Sequence, residues 1–195
     1  MTKTNLKIAV LVPCMNEEAT ISNVVAEISA SLEEASIYVY DNASTDRTVE
    51  LARQAGAEVR TEFMPGKGNV VRRMFADIDA DVYLMLDGDG TYDPSQAPAM
   101  IKQLVEDDLD MVVGVRTFEP DTKTRRGHTL GNRLFNRVYK SLFGSEFSDI
   151  LTGYRVFSKR FVKSFPAVSS GFEIATDISV HASQLGLPIL ELPVN

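Results

Sequence analysis

Short apolar, β-favouring runs alternate along this chain with segments whose apolar residues recur at helical spacing. Four of these runs have the continuous apolar character of strands buried on both faces, and they lie at residues 7–12, 37–40, 82–86 and 110–116. After the first run, the helical spacing is carried by Ile21, Val24, Val25, Ile28 and Leu32. The alternation predicts an α/β domain with a single, mainly parallel central sheet flanked by helices on both faces.

The size and charge of the chain narrow the classes of function that it can have. Its 195 residues favour one domain with a substantial core. A formal net charge of −7 argues against a nucleic-acid binder that works by general attraction to phosphates. Cys14 is the one cysteine, which excludes a disulfide framework and fits a reducing compartment. With no signal peptide and no apolar stretch of about 20 residues, we expect a soluble, cytoplasmic protein.

Polar residues follow the predicted strands at the point where each strand ends. Residues 13–18 follow the first strand, residues 41–46 follow the second, and Asp87-Gly88-Asp89 follows the third of the four runs. In parallel sheets of α/β domains, ligands bind outside the carboxyl ends of the strands. The three clusters therefore predict one site at this edge of the sheet.

Asp87 and Asp89 carry the first prediction about chemistry. Two carboxylates spaced by a glycine at the end of a strand repel each other unless a cation lies between them. Mg²⁺ or Mn²⁺ fits, because hard divalent ions take oxygen ligands and often bind through one or two carboxylates together with substrate phosphates. The alternative is an ordinary Asp-Gly turn, which the other polar strand ends make less attractive.

Several residues are expected to begin or end helices. Asn16 is typical of a helix N-cap, with Glu17 and Glu18 in the first turn, where negative charge suits the helix dipole. Gly56 and Gly186 follow helical patterns and are expected to terminate them. The first helix is therefore predicted to begin directly after Asn16.

A basic region follows the strand predicted at 110–116. Residues 117–127 are predicted to form a polar loop and residues 128–143 an amphipathic helix. Basic side chains concentrate there, at Lys123, Arg125, Arg126, Arg133, Arg137 and Lys140. Two interpretations stay open: the helix packs on the core with a solvated basic face, or its surface meets phosphates or an anionic membrane.

These motifs, taken in order, resemble one known family. Similarity to the inverting family 2 glycosyltransferases is carried by Val12-Pro13, Asn16-Glu17-Glu18, residues 41–46 and Asp87-Gly88-Asp89. Residues 148–156 and 171–173 resemble more narrowly the branch that transfers sugars to dolichyl or polyprenyl phosphate. The resemblance covers nearly the whole chain, and it implies the GT-A fold, a nucleotide-diphosphate-sugar donor and a divalent metal.

The resemblance also implies roles for individual residues. Asp87 and Asp89 would be the metal ligands, and Asp41 would bind the nucleotide base. The full donor-binding set is Pro13, Asn16, Glu17, Asp41, Asn42, Ser44, Lys67, Asp87, Gly88 and Asp89. Arg116 would act on the phosphates. For the base that takes the acceptor proton we expect Asp149, because it lies beside the mouth of the predicted sheet in the acceptor half, with Glu173 and Asp177 as alternatives. The acceptor-binding set is Arg125, Arg126, Asn132 and Arg133.

A single catalytic domain is expected over residues 1–195, with a nucleotide-binding part of about 1–116 and an acceptor part of about 117–195. Members of this branch usually continue past the last strand with an arginine-containing segment and a Ser-Lys-Leu-like motif, and this sequence has neither. Either the chain is truncated at its C-terminus, or acceptor binding is organised differently.

The function implied is transfer of a sugar from a UDP- or GDP-sugar to a polyprenyl or dolichyl phosphate, with peripheral contact at the inner face of the cell membrane. Two alternatives stay open: a saccharide acceptor in cell-envelope polysaccharide synthesis, and a non-catalytic domain that binds nucleotide sugars. A dinucleotide-binding dehydrogenase and a P-loop NTPase are disfavoured, because G-x-G-x-x-G does not follow the first strand and G-x-x-x-x-G-K-[ST] is absent.

Overall fold

The computed structural model describes residues 6–116 and 151–194, which form one seven-stranded sheet with helices on both faces. The strands are β1 (Ile8–Cys14), β2 (Ser36–Asp41), β3 (Glu58–Thr61), β4 (Val82–Met85), β5 (Met111–Arg116), β6 (Arg155–Ser158) and β7 (Ile189–Val194). The α-helices in the described ranges are α1 (Ile21–Ser31), α2 (Thr48–Gln54), α3 (Lys67–Asp77), α4 (Ala97–Glu106), α5 (Lys159–Ser164) and α6 (Ile174–Gln184). A 3₁₀ turn at Pro94–Gln96 leads into α4.

The sheet has the strand order β3-β2-β1-β4-β6-β5-β7. All neighbouring strands are parallel except β6, which runs antiparallel to both β4 and β5. In the register of the parallel strands, Cys14 of β1 lies beside Asp41 of β2. The carboxyl ends of β1, β2 and β4 therefore meet at one edge of the sheet. The prediction of a single, mainly parallel sheet is confirmed.

The two faces of the sheet carry separate apolar clusters. Ala9 and Leu11 of β1 belong to the cluster built with α3, α5 and α6, whereas Val10 and Val12 belong to the cluster built with α1, α2 and α4. Because successive side chains of a strand point to opposite faces, covering both faces requires apolar residues without alternation. This explains the continuous apolar runs in the sequence. None of the helices in the described ranges is long and apolar enough to cross a bilayer.

The first helix begins later than the sequence pattern predicts. Helix α1 starts at Ile21, and its first turn carries no acidic residue. Asn16 has a φ angle of 58°, in the left-handed region, and its side-chain Oδ1 accepts a hydrogen bond from the Thr45 N–H at 2.8 Å. The predicted N-cap at Asn16, with Glu17 and Glu18 in the first turn, is therefore wrong. The amide of Asn16 binds a distant loop instead of the start of a helix.

Other element boundaries lie close to their predicted positions. Gly56 and Gly186 follow α2 and α6 with φ angles of 100° and 60°, a conformation that glycine adopts without a steric penalty. Strand β1 runs through Pro13 to Cys14, slightly beyond its predicted end.

Because β6 runs antiparallel to β5, it begins at the same edge of the sheet at which β5 ends. Strand β5 ends at Arg116, and β6 begins with Arg155 directly beside Met85 of β4. Both points therefore lie at the edge where β4 ends. The predicted loop 117–127 and helix 128–143 lie outside the described residues, as do Asp149, Arg125, Arg126, Asn132 and Arg133. The division into donor and acceptor parts stays a prediction.

Candidate functional site

A pocket of about 430 Å³ opens at the carboxyl edge of the sheet, beyond the ends of β1 and β4. The predicted donor-binding residues in its lining are Pro13, Glu17, Asn42, Lys67, Asp87, Gly88 and Asp89. The lining also includes residues outside the predicted donor-binding set: Cys14, Met15, Pro65, Gly66, Val70 and Phe172. The structure thus brings most of the predicted donor-binding residues to one cavity, and their roles in binding stay predictions.

Asn16 and Ser44 lie beside the pocket and support it. The Asn16 N–H donates to the Ser44 Oγ at 2.8 Å, while the Asn16 side chain accepts from the Thr45 N–H. Next to this pair, the Glu17 N–H donates to the Thr48 Oγ1 at 2.7 Å. These bonds tie the loop after β1 to the loop after β2, so they fix the backbone from which Glu17 enters the pocket.

Asn42 fixes another wall of the pocket. Its side-chain amide donates to the carbonyl oxygens of Glu62 at 2.8 Å and Met64 at 2.9 Å. Its Oδ1 accepts from the Gly66 N–H at 2.8 Å. A single buried amide therefore holds the segment from Glu62 to Gly66 against the end of β2, directly before α3.

Lys67, the first residue of α3, forms an ion pair with Asp87. The Lys67 Nζ lies 2.5 Å from the Asp87 Oδ1, and the two side chains are 16% and 25% exposed. The Asp87 carboxylate packs against the backbone of Gly153, where an added Cβ would come closer than 3.0 Å to Oδ2. Gly153 therefore contributes to the site by leaving room for Asp87. The one signal for it in the sequence is its position within the segment 148–156.

Four carboxylates act on the buried thiol of Cys14. Burial raises the pKa of Cys14, and the negative charges of Glu17, Asp41, Asp87 and Asp89 raise that pKa further. These charges can act together only if the carboxylates converge on one end of the sheet, as the strand-end pattern predicts. The raised pKa keeps the thiol protonated, so Cys14 is a packing residue and not a nucleophile.

Gly88 is confined between β1 and the start of α1. A Cβ at this position would come closer than 3.0 Å to the Cys14 Sγ. The Gly88 carbonyl oxygen accepts from the Thr20 Oγ1 at 2.7 Å, and the Asp89 Oδ1 accepts from the Thr91 N–H at 2.9 Å. The turn that carries Asp89 is thus anchored on both sides.

The acidic side of the pocket fits a hard divalent cation. Burial raises the pKa of Glu17, and the negative charges of Asp89 and Asp87 raise it further. Lys67 neutralises only part of this negative charge. Within residues 6–116 and 151–194, no group of three or more His, Cys, Asp or Glu side chains is arranged to hold an ion. Asp87 and Asp89, which line an open pocket, suit an ion that takes its other ligands from the phosphates of a substrate.

Arg116 lies at the same edge of the sheet, on the side of β5. Its guanidinium carbon is 5.4 Å from the centre of the Tyr92 ring, which is cation–π geometry. The Tyr92 hydroxyl accepts from the Gly153 N–H at 2.9 Å. Through these contacts Arg116 neighbours the glycine that backs Asp87, although it is not part of the pocket lining.

Glu173 and Asp177, the alternative candidates for a general base, are engaged in local hydrogen bonds. The Glu173 Oε1 accepts from the Gly171 N–H at 2.9 Å, and Asp177 accepts from the Ser169 hydroxyl. Backbone N–H groups, first its own and then that of Gly171, lower the pKa of Glu173. A lowered pKa makes Glu173 a weaker base. The hydrogen bonds of Glu173 and Asp177 hold the loop before α6, and the role of either residue as the base stays a prediction.

Phe172 lines the pocket with a ring that is 79% exposed. The loop before it is held by Arg72, whose Nε donates to the Ala167 carbonyl at 2.8 Å and whose Nη2 donates to the Val168 carbonyl at 3.2 Å. A large exposed aromatic ring on a fixed loop is available for contact with a ligand. The resemblance pointed to residues 171–173 but gave Phe172 no role.

Comparison with known proteins matches this chain to one family. The model described as "Glycosyl transferase family 2" matches residues 9–165. Protein RfbJ of Shigella flexneri is 53% identical over 125 residues, covering 64% of this chain and 97% of RfbJ. Glycosyltransferase AglJ of Haloferax volcanii is 38% identical over 189 residues, covering 95% of this chain but 61% of AglJ. The dolichyl-phosphate hexose transferase of Haloferax volcanii is 27% identical over 187 residues, covering 96% of this chain and 81% of the transferase.

Solved structures share the same fold. A glucosyl-3-phosphoglycerate synthase from Mycobacterium tuberculosis, crystallised with Mn²⁺, UDP and glucosyl-3-phosphoglycerate, superposes with a TM-score of 0.83. The superposition covers 98% of this chain and 71% of the synthase at 24% sequence identity. At that identity the likeness shows the fold, which agrees with the expected GT-A architecture.

Proposed function

This chain belongs to glycosyl transferase family 2, and on that premise we propose that it moves a sugar from a UDP- or GDP-sugar to a polyprenyl or dolichyl phosphate, with Mg²⁺ or Mn²⁺ bound. The observation that carries the proposal is the pocket at the carboxyl edge of the sheet, where Glu17, Asp87 and Asp89 converge beside Lys67. An acidic pocket with one paired lysine is suited to a cation and a diphosphate that enter together.

The donor lies, in this proposal, along the edge from β2 to β4. Asp41 binds the base, and Asp87 and Asp89 hold the cation. A bound divalent ion would stabilise the negative charge that develops on the leaving diphosphate. Lys67 and Arg116 add positive charge toward the same phosphates. Support for a nucleoside diphosphate and a metal comes from the synthase of the same fold that was crystallised with Mn²⁺ and UDP.

A lipid phosphate is the proposed acceptor because one relative, matched over 96% of this chain and 81% of its own length, is a dolichyl-phosphate hexose transferase. Such an acceptor is largely anionic near pH 7, since its second pKa is about 6, as for a phosphorylated serine. An anionic nucleophile needs no strong base, which is compatible with the engagement of Glu173 and Asp177 in their loop. Asp149 would then position the acceptor, and Arg125, Arg126, Asn132 and Arg133 would bind its phosphate.

An exposed set of apolar side chains beside the pocket supports a lipid acceptor. This set, which we call the apolar rim, comprises Phe63, Met64, Val168 and Phe172. Its two segments are joined where the Gly68 N–H donates to the Ser170 carbonyl at 3.0 Å. Exposed apolar patches of this kind are typical of sites that meet lipids or other partners. The rim fits peripheral contact with the inner face of the cell membrane next to the donor pocket.

The proposal is tested by a transfer assay with the whole chain. UDP- and GDP-linked hexoses carrying a radiolabelled sugar would be offered with Mn²⁺ and a short-chain polyprenyl phosphate in detergent micelles. We expect label to move into the organic phase with one of the donors, and addition of EDTA to stop it. Saccharide acceptors and buffer alone serve as parallel reactions.

Each alternative function has its own outcome in this assay. Transfer to saccharides but not to polyprenyl phosphate would identify the alternative acceptor class. Metal-dependent donor binding without transfer to any acceptor would identify a non-catalytic nucleotide-sugar-binding domain. No binding of either nucleotide with metal would contradict the proposal as a whole.

A further inference from the structure

Both oxygens of the Asp87 carboxylate are already in contact with the protein. Oδ1 accepts from the Lys67 ammonium at 2.5 Å. Oδ2 lies against Gly153, so closely that a side chain at position 153 would overlap it. Approach to Asp87 from the Gly153 side is therefore blocked by backbone, and approach to Oδ1 meets the ammonium of Lys67.

The backbone of Lys67 is fixed on both sides, whereas its side chain can move. Gly66 donates its N–H to the Asn42 amide oxygen at 2.8 Å, and Gly68 donates to the Ser170 carbonyl at 3.0 Å. The ammonium sits at the end of a flexible four-carbon stem. It can therefore change partner within the pocket while α3 stays in place.

The charges of the pocket favour such a change when a diphosphate is present. The charged residues in the lining are three carboxylates, Glu17, Asp87 and Asp89, and the ammonium of Lys67. Without ligands, the lysine is held by the carboxylate nearest to it. A diphosphate offers the same ammonium a stronger concentration of negative charge at close range.

We infer that Lys67 competes with the divalent cation for Asp87 and releases that carboxylate only when a diphosphate takes up its ammonium. Lys67 is then a positioning residue that couples binding of the metal to binding of the nucleotide. The inference rests on the proposed function for the identity of the diphosphate. By thermodynamic reciprocity, whatever the nucleotide adds to metal affinity the metal adds to nucleotide affinity.

The competition is tested by measuring Mn²⁺ binding in the absence of nucleotide, by electron paramagnetic resonance of free Mn²⁺. In Lys67→Met, the methionine keeps the length of the side chain but cannot pair with Asp87. We expect this variant to bind Mn²⁺ alone about tenfold more tightly than the wild type. Lys102→Met is the matched control, because Lys102 pairs with Glu106 on the surface of α4 and should leave Mn²⁺ affinity unchanged.

The double variant Lys67→Met with Asp87→Asn locates the effect. If the gain in affinity comes from freeing Asp87, it should disappear when Asp87 loses its charge. Lys67→Gln, which keeps a neutral donor, provides a second single variant in case the methionine disturbs folding, and circular dichroism checks all of them. Equal or weaker Mn²⁺ binding in the folded Lys67 variants would overturn the inference.

Failure of this inference and failure of the proposed function are distinguishable. The metal-binding measurement needs neither nucleotide nor acceptor, whereas the transfer assay uses the wild-type chain. Tighter Mn²⁺ binding in Lys67→Met with no transfer by the wild type would support the competition and contradict the activity. Transfer by the wild type with unchanged Mn²⁺ binding in the variants would do the reverse.

Discussion

Two glycines at the pocket allow side chains and backbone to approach more closely than any other residue would. Gly153 backs the carboxylate of Asp87, and Gly88 leaves room for the thiol of Cys14. Gly153 binds no ligand in the proposed function, whereas Gly88 is one of the residues predicted to bind the donor. Because glycine has no Cβ, each of the two leaves room for a functional group, and the geometry of the acidic cluster depends on that room.

Gly153→Ala should displace the Asp87 carboxylate, because the new methyl group would lie closer than 3.0 Å to Oδ2. A shift of about 1 Å in such a group can cost about 100-fold in rate, and we expect a loss of this size in the transfer assay. Gly56→Ala is the control. Its added Cβ meets nothing within 4 Å, but the alanine has to adopt a φ of 100°. That variant should lose about 1 kcal/mol of unfolding free energy and keep its donor binding. Equal activity losses in the two variants would contradict the role of Gly153 in leaving room for the Asp87 carboxylate.

Asp89→Asn removes a charge from the proposed cation site without removing the acceptor of the Thr91 N–H. We expect transfer to fall by about 100-fold, because charge stabilisation is the largest contribution to catalysis in sites of this kind. Asp93→Asn is the matched control: Asp93 caps the 3₁₀ turn by accepting from the Ser95 N–H at 2.9 Å, and asparagine caps equally well. Wild-type activity in Asp89→Asn would rule out a role for this carboxylate in metal binding.

For individual residues, the sequence predicts those roles that depend on neighbours in the chain. Asp87 and Asp89 follow an apolar run directly, so their position at a strand end could be predicted from neighbouring residues. Asn16 could not be placed correctly, because its amide binds Thr45, 29 residues away. Gly153 could not be assigned either, since the carboxylate that it accommodates comes from a different strand.

Among the elements, α3 and the loop before α6 act together to shape the pocket. Arg72 of α3 donates to the carbonyl oxygens of Ala167, Val168 and Ser169. The same loop packs against the glycines at the start of α3. Lys67 and Phe172 are therefore carried by two segments that hold each other in place.

Arg72→Met should loosen this loop while keeping the apolar stem of the side chain. Hydrogen bonds from a charged group to backbone carbonyls that are partly exposed contribute about 1 kcal/mol in total to the free energy of unfolding. Urea unfolding should show a loss of this size, and hydrogen exchange should rise at residues 167–170. Arg73→Met is the control, because Arg73 pairs with Asp77 on the exposed face of α3 and should have a smaller effect. Equal protection of the loop in both variants would contradict a role of Arg72 in holding the loop.

His181 of α6 provides a pH-dependent contact between helices. Its ring packs edge-on against Phe161 and Phe165, with centroid distances of 5.8 and 5.4 Å. Burial lowers the pKa of His181 below its ordinary value of 6.5. Between the folded pKa and pH 6.5, the unfolded chain therefore binds the proton more readily than the folded chain. The stability from neutral His181 is complete above pH 6.5 and is lost as the pH falls through the folded pKa.

His181→Gln removes this titration. The difference in unfolding free energy between the wild type and the variant should shrink as the pH is lowered from about 7.5 to about 5.5. Urea denaturation at several pH values measures the difference directly. A difference that stays constant across that range would show that the pKa of His181 is the same in the folded and the unfolded chain.

The elements themselves were largely predictable, but their order in the sheet was not. Continuous apolar runs predicted β1, β2, β4 and β5 because both faces of the sheet are covered. Nothing in residues 155–158 indicates that β6 runs antiparallel between β4 and β5, because strand direction is set by how the chain returns to the sheet. The basic helix predicted at 128–143 stays a prediction.

For the molecule as a whole, the site lies where the loops after several strands meet, so ligand binding should stabilise the entire fold. A ligand present at about 100 times its Kd adds about 2.7 kcal/mol to the free energy of unfolding. For a domain of this size, that corresponds to a rise in Tm of roughly 5 to 10 °C.

Thermal unfolding should show this rise with UDP or GDP together with Mn²⁺. Removal of the metal with EDTA should abolish most of the rise, because the acidic pocket then repels the diphosphate. UMP with Mn²⁺, which lacks the second phosphate, is the matched control and should give a smaller shift. An equal rise in EDTA would mean that the nucleotide binds without the cation.

The antiparallel course of β6 also bears on how such chains can be re-engineered. Since β5 ends and β6 begins at the edge of the sheet where the pocket opens, any segment exchanged between Arg116 and Leu151 starts and finishes near that pocket. Grafting that segment from another member of the family would keep all seven strands of the described sheet and the carboxylates Glu17, Asp87 and Asp89 in the chain. In the proposed function this segment carries the acceptor-binding residues, so chimeras made at these two junctions would show whether acceptor preference moves with it.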